Sequence, residues 1–204
     1  VIQFLKACKD HNCSYILNKI DNLIDKYNLS KTNREGYFKL RDYYNKENRD
    51  SIVFYTLTCY AFNHMIRFNK KCEYTYSFGK DRSSFNPTMR ESLIKFIYKL
   101  KEINIEFYNK SYNEFNIESF KQNDFVYIDP PYLITNASYN KSWGKQQEKA
   151  LLNFLDKLNE KGINFALSNV LKHKDKENTI LKEWSENYYV NDLDYSYDNC
   201  IYHK

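Results

Sequence analysis

Glycine and proline are scarce in this chain of 204 residues, with 4 and 3 copies. So few turn formers exclude a turn-dense β-sandwich or barrel and favour helices joined by long connections. Long apolar runs are absent as well. No stretch approaches the ~20 residues that a membrane span requires. Lys6, Lys9 and Asp10 interrupt the apolar start, which therefore does not read as a signal peptide. There is no C-x-x-C pair, and the five cysteines (Cys8, Cys13, Cys59, Cys72 and Cys200) are odd in number, as expected of free thiols in a reducing cytoplasm. Cys8, His11 and Cys13 lack a fourth ligand. They read better as helix residues than as a zinc site, and no metal is expected.

What is present is 42% hydrophobic and 28% charged, the balance of a folded globular domain, and the length suits one domain or one domain with a small insert. Aromatics reach 18%, but Lys, Asn, Tyr and Ile are abundant together, a pattern of AT-rich coding, so the tyrosines by themselves carry little functional weight. The net charge is +5, compatible with a nucleic-acid partner. Much of the excess falls between Asn63 and Arg90, where Arg67, Lys70, Lys71, Lys80, Arg82 and Arg90 face only Glu73 and Asp81. A solvated loop and a DNA-facing surface both fit that cluster. The chain opens on Val1 and closes on the strand-like run Cys200-Ile201-Tyr202-His203-Lys204, as expected of a fragment.

Periodicity divides the chain in two. Apolar residues at helical spacing predict helices over 1–27 with a break near Asn12, over 37–44, over 51–65, and over 87–103 with Pro87 at its start. Residues 28–33 read as a loop, and 68–85 as a hairpin or extended loop. Then the pattern changes. A β-like run at 103–108 and a brief helix at 115–120 precede Phe125-Val126-Tyr127-Ile128, the continuous apolar run of a strand buried on both faces. A helix over 146–161 closed by Gly162, a strand over 163–167, a helix over 176–186 and a strand over 188–193 complete a doubly wound α/β pattern.

The stretch that carries chemistry is the end of the first of these strands, Asp129-Pro130-Pro131-Tyr132. In open α/β sheets, ligands bind beyond the carboxyl ends of the strands. The prolines fix φ and remove two N–H donors, leaving a rigid loop that presents carbonyls. A carboxylate, a preset carbonyl and an aromatic ring suit a planar heteroaromatic amine. The Asp129 carboxylate and the Pro130 carbonyl can hold its two N–H bonds, and Tyr132 can stack on its ring. A helix-starting loop with a solvated acid is the alternative, disfavoured by the buried strand before it and the tyrosine after it.

These residues match the DPPY signature of amino-directed DNA methyltransferases, and with other segments the chain resembles the Dam-type (D12 class) adenine-specific DNA methyltransferases. Phe62-Asn63-His64-Met65-Ile66-Arg67-Phe68-Asn69 resembles the family's FN-x-x-x-R-x-N segment, and Glu73-Tyr74-Thr75-Tyr76-Ser77-Phe78-Gly79-Lys80 its E-F-N-x-P-x-G-K/R segment. Residues 105–112 resemble the strand that ends at the cofactor adenine, and Phe165-Ala166-Leu167-Ser168-Asn169 the later LSN strand. The resemblance implies a partial Rossmann-like, S-adenosyl-L-methionine-dependent methyltransferase sheet (α/β) with a mainly helical target-recognition lobe. It divides the chain into 1–33, a helix leading out of the catalytic domain, 34–102, the DNA-binding lobe, and 103–204, the catalytic core. Asp129 and Pro130 would grip the amine of a flipped adenine, with Tyr132 stacked on it. Ser111, Tyr112 and Asp129 would lie by the cofactor, and Asn63, Arg67, Asn69 and Lys80 would face double-stranded DNA. The sulfonium of the cofactor activates the methyl group, so the chemistry calls for no metal. A restriction–modification or phage system is implied, with a cognate restriction endonuclease acting on the same DNA but no physical complex and no membrane.

The chain departs from the pattern in places. No F-x-G-x-G cofactor segment is present, since its glycines stand at 36, 79, 144 and 162, and the 204 residues alone are expected to bind the cofactor weakly or not at all. His64 stands where the family often has Gly, Ser77 where it has Pro, and Asp81 follows Lys80, which leaves the recognised sequence unassigned. Two other functions stay open: a catalytically inactive DNA-binding remnant, and an amino-methyltransferase acting on protein or RNA.

Overall fold

Contacts in the computed structural model, which describes residues 1–135 and 142–193, divide the chain into two units, Val1–Asn109 and Lys110–Lys204. The strand-like run 200–204 lies outside the described residues. None of the helices among the described residues is long and apolar enough to cross a membrane.

The first unit is helical: α1 (Ile2–Asp10), α2 (Cys13–Tyr27), α3 (Arg34–Lys46), α4 (Ser51–Cys59) and α5 (Pro87–Glu102). The helical pattern does break at Asn12, which is extended and opens α2. Three helices start on a side-chain cap. Asn33 accepts from the Gly36 N–H, Asp50 from those of Ile52 and Val53, and Asn86 from that of Met89 with Pro87 next in line. Each cap satisfies N–H groups that the helix itself cannot. The apolar stripes of α1, α2, α4 and α5 meet in one core, where Cys8, Ile16, Ile20, Leu57 and Ile97 are fully buried. Burial pushes the Cys8 thiol up to about 11. The helix expected over 51–65 ends sooner, at Cys59, and a single 3₁₀ turn (Phe62–His64) follows because Asn63 and His64 take positive φ.

Between that turn and α5 lies the expected hairpin, marked by antiparallel bridges Ala61–Phe78 and Phe68–Tyr74. It is sewn to α3. Asn45 bonds both the N–H and the carbonyl of Tyr74, the Tyr37 hydroxyl donates to Tyr76 O, and Arg49 donates to Cys72 O. Gly79 is required at its base. A Cβ there would sit 2.5 Å from the Ser83 Cβ and 2.9 Å from the Ala61 carbonyl.

The second unit is built on one parallel βαβ element: β1 (Phe125–Ile128), α6 (Lys145–Glu160) and β2 (Asn164–Leu167), followed by a small hairpin of β3 (Lys172–His173) and β4 (Lys176–Glu177), then α7 (Thr179–Ser185). Leu152, Leu155 and Leu158 of α6 pack with Ile163 and Leu181 over Val126, Ile128, Phe165 and Leu167. Gly162, at φ +70, closes α6 in the left-handed conformation that glycine adopts at little cost.

The structure corrects further expectations. The helix expected over 176–186 starts later, at Thr179, because Lys176 and Glu177 pair with His173 and Lys172 and Asn178 then caps the helix. β1 is covered on one face only: Phe125 and Tyr127 are 62% and 63% exposed, because α6 covers the face that carries Val126 and Ile128. The run 103–108 forms no ladder, having no paired strand among the described residues, although Ile105 and Phe107 alternate inward onto the first core. The helix expected over 115–120 is a single 3₁₀ turn, Ile117–Ser119, preceded by another at Tyr112–Glu114. Residues 188–193 form no third strand. Tyr188 closes a turn onto Ser185, sets its ring tilted 4.3 Å from that of Trp184 and donates to Asp156 at 2.6 Å, which draws the backbone away from an extended course. Among the described residues the parallel sheet therefore holds two strands.

Candidate active site

In the parallel register Ile128 lies opposite Leu167, and the Ser168 N–H donates to the Ile128 carbonyl at 2.9 Å. The next residues of the two strands, Asp129 and Ser168, therefore leave the sheet side by side at its carboxyl end. Pro130 and Pro131 turn the chain, and a bend closes behind them where the Thr135 N–H and hydroxyl both donate to the Tyr132 carbonyl. That turn brings the Tyr132 hydroxyl back over the strand ends. It donates to Asp129 Oδ1 at 2.9 Å and lies 3.1 Å from the Ser168 hydroxyl. Because the tyrosine proton is spent on Asp129, Ser168 is the donor in the second bond. The result is a directed chain, Ser168 to Tyr132 to Asp129, that ends on the carboxylate.

Asp129 itself is exposed, while Pro130, Pro131 and Tyr132 are half-buried. Among the described residues no hydrogen bond reaches Asp129 Oδ2. The Tyr132 hydroxyl thus holds one oxygen of an exposed carboxylate whose next residue, Pro130, has its φ fixed by its ring.

The residues expected by the cofactor adenine lie in the same unit. The Ser111 N–H donates to the Glu114 carboxylate at 2.6 Å across the first 3₁₀ turn, and the Tyr112 ring meets Phe154 edge-on at 5.2 Å. Tyr112 lines a surface cavity of about 250 Å³ together with Phe115, Asn153, Phe154 and Lys157. Burial raises the Tyr112 hydroxyl pKa.

The residues expected to face DNA all lie in the first unit. Arg67 and Lys80 are exposed and make no ion pair among the described residues. Asn63 is exposed in the left-handed turn, a conformation asparagine tolerates. Asn69 is employed differently. Its Oδ1 accepts from the N–H groups of Lys71 and Glu73, both at 2.9 Å, and its Nδ2 donates to Glu73 Oε2 at 2.7 Å. Its amide builds the hairpin tip that displays Lys70 and Lys71. His64 explains one departure from the family pattern: at φ +54 it occupies a conformation suited to glycine, and its ring Nδ1 lies 3.2 Å from the Thr58 carbonyl.

Two residues of the site region have no role legible in the sequence. Ser168 stands there only as part of an LSN segment. Glu148 is fully buried on α6 and accepts from Trp143, Asn169 and Asn178. Its one signal is an acid standing on the same helical stripe as Leu151, Leu152 and Leu155.

Known proteins share much of this sequence. The model of the D12 class N6 adenine-specific DNA methyltransferases matches residues 1–198. The chain is 44% identical over 205 residues to the Type II methyltransferase M.FokI of Planomicrobium okeanokoites, an alignment covering 98% of this chain and 32% of that protein. It is 42% identical over 192 residues to the modification methylase StsI of Streptococcus sanguinis, covering 90% of this chain and 29% of that protein. Identity to the DNA adenine methylase of Escherichia coli (strain K12) is 26% over 159 residues, or 74% of this chain and 53% of the methylase. The chain spans about a third of the length of the first two relatives.

Proposed function

The chain belongs to the D12 class of N6 adenine-specific DNA methyltransferases, and from that premise we propose that it provides the base-binding and DNA-recognising parts of an enzyme that methylates the exocyclic amine of adenine in duplex DNA. The modification methylases among its relatives favour a restriction–modification setting. The observation that carries this reading is the Tyr132–Asp129 hydrogen bond at the carboxyl end of β1, which fixes a carboxylate beside the Pro130 carbonyl.

The amine of adenine is a poor nucleophile because its lone pair is delocalised into the ring. Asp129 Oδ2 and the Pro130 carbonyl accept its two N–H bonds and favour the geometry in which the lone pair is localised. Tyr132 supports the ring of the base. A stacked base cannot reach a pocket at a strand end, so the adenine must leave the duplex. The basic tip around Lys70 and Lys71, with Arg67 and Lys80, serves the DNA backbone and base edges. We read 34–102 as the recognition lobe, 103–204 as the catalytic core and 1–33, which holds α1 and α2, as leading out of the catalytic domain, with β1–α6–β2 as one repeat of a Rossmann-like sheet.

S-adenosyl-L-methionine, when bound, supplies the activated methyl group. The residues present fit it in part. Asp129, Ser111 and Tyr112 offer partners for its two ends, but no glycine cradle is among them. Gly36 lies in α3 with a Cβ position 2.2 Å from the Tyr27 carbonyl, Gly79 serves the hairpin, and Gly144 and Gly162 bracket α6. The roles of Asp129, Pro130 and Tyr132 toward the base do not depend on such a cradle.

The test is Asp129→Ala in the complete protein. Asp129 acts when the amine rehybridises, so its loss should lower single-turnover methylation by about 100-fold or more and leave DNA binding nearly intact. Methylation at near the wild-type rate would show that the strand-end pocket is not the adenine site.

A further inference from the structure

A carboxylate at 0% exposure on the apolar stripe of α6 is an expensive choice where leucine would continue the core. Glu148 has no lysine or arginine partner among the described residues. It is held instead by three neutral donors: Trp143 Nε1 at 2.6 Å on Oε2, and Asn178 Nδ2 at 2.8 Å and Asn169 Nδ2 at 3.3 Å on Oε1. Those donors come from three separate places. Trp143 stands one residue before the Gly144 cap of α6. Asn178 caps α7, accepting from the Leu181 N–H. Asn169 immediately follows Ser168, and its own Oδ1 accepts from the Val170 N–H at 2.8 Å.

The Asn169 arm leads to the site. With its amide held at both ends, by Glu148 and by Val170, Asn169 fixes the turn that carries Ser168 out of β2. Ser168 in turn donates to Tyr132, and Tyr132 to Asp129. We infer that Glu148 is a positioning residue for the Asp129 carboxylate, acting through Asn169 and Ser168, an inference that rests on the adenine-methylating reading above. Among the described residues it is the Asn169 arm that leads to Ser168, whereas the Asn178 arm ties α6 to the start of α7.

That asymmetry makes the inference testable in the complete protein. Glu148→Gln preserves shape but sets an amide N–H₂ against the Trp143 indole or the asparagines, so one donor loses its acceptor. It should lower kcat by about 10- to 100-fold, the cost of a small misplacement of reacting groups, while KM for DNA stays within about twofold. Asn169→Ala cuts the site-directed arm alone and should reproduce that fall, and the double variant should be no slower than Glu148→Gln. Asn178→Ala cuts a packing arm and should lower thermal stability with kcat retained. A readout independent of activity is the indole N–H proton resonance of Trp143, identified by its absence in Trp143→Phe; it should move upfield in Glu148→Gln. The inference is overturned if Asn169→Ala keeps its kcat, if Asn178→Ala lowers kcat as far as Asn169→Ala, or if the indole resonance does not move. Asp129→Ala separates the two levels. An active Asp129→Ala defeats the adenine-site reading itself, whereas a dead Asp129→Ala with a normal Asn169→Ala defeats the role of Glu148 alone.

Discussion

The Tyr132 hydroxyl donates a hydrogen bond to Asp129 Oδ1 at 2.9 Å, so the ring expected to stack on the base is also the group that aims the carboxylate. Stacking alone would make Tyr132→Phe nearly neutral. The hydroxyl adds a bond to a charged acceptor, worth about 1.5–3 kcal/mol. Tyr132→Phe should therefore keep base extrusion but lose turnover by about tenfold or more, as that bond energy implies. Tyr132→Ala should lose both. Fluorescence of a 2-aminopurine at the target, read beside single-turnover methylation, separates the two effects. Equal loss of extrusion in both variants would remove the ring from the base site.

Arg67 and Lys80 should part company on DNA. Arg67→Ala should cost about 1–3 kcal/mol on the cognate duplex and relax specificity, as for a reader of base edges. Lys80→Ala should weaken cognate and random duplexes alike and reduce the salt slope by about 1, as for a phosphate contact. Asn69→Ala releases the bonds that shape the hairpin tip and should weaken both duplexes without changing the salt slope. Fluorescence anisotropy across a salt series decides; equal losses for Arg67→Ala on both duplexes would reassign that arginine.

Cys72 offers a direct view of the hairpin tip. It is exposed beside Lys71, whereas Cys8 and Cys59 are buried and their thiols are pushed up to about 11 and about 12 by burial. Alkylation at pH 8 followed by peptide mass mapping should label Cys72 and spare Cys8 and Cys59. Bound DNA should slow labelling of Cys72. Unchanged labelling in saturating duplex would place DNA elsewhere.

Asp50 should make the fold acid-sensitive. Burial would raise its pKa, but the Lys19 ammonium at 2.9 Å and the N–H groups of Val53 and Ile52 outweigh this and hold it below the ordinary carboxylate range. A depressed acid stabilises the fold above its unfolded pKa of about 3.9, and that contribution is lost as pH falls through the lower folded value. Asp50→Ala removes a helix cap and should cost about 1–2 kcal/mol at pH 7. Urea denaturation should show the gap between wild type and variant closing below about pH 4, the unfolded carboxylate range. A gap that persists at pH 2 would mean that packing, not the charged cap, carries the effect.

The sequence by itself determined what depends on neighbours along the chain. The amphipathic stripes of α2, α5 and α6, the Pro87 start, the Gly162 stop and the apolar run of β1 all follow from local period and backbone chemistry, and all stand in the structure. What only the tertiary structure decided involves partners far apart. Ser168 meets Tyr132 across 36 residues because the parallel register brings two strand ends together, and no local pattern encodes a register. Phe125 and Tyr127 read as buried, yet exposure depends on which face α6 covers. Tyr188 reads as strand, yet Trp184 and Asp156 claim its side chain. Glu148 reads as one more charge on a helix, and its meaning lies in Asn169 and Asn178, 21 and 30 residues away. A buried acid must find donors, and which donors it finds is fixed by how the helix docks.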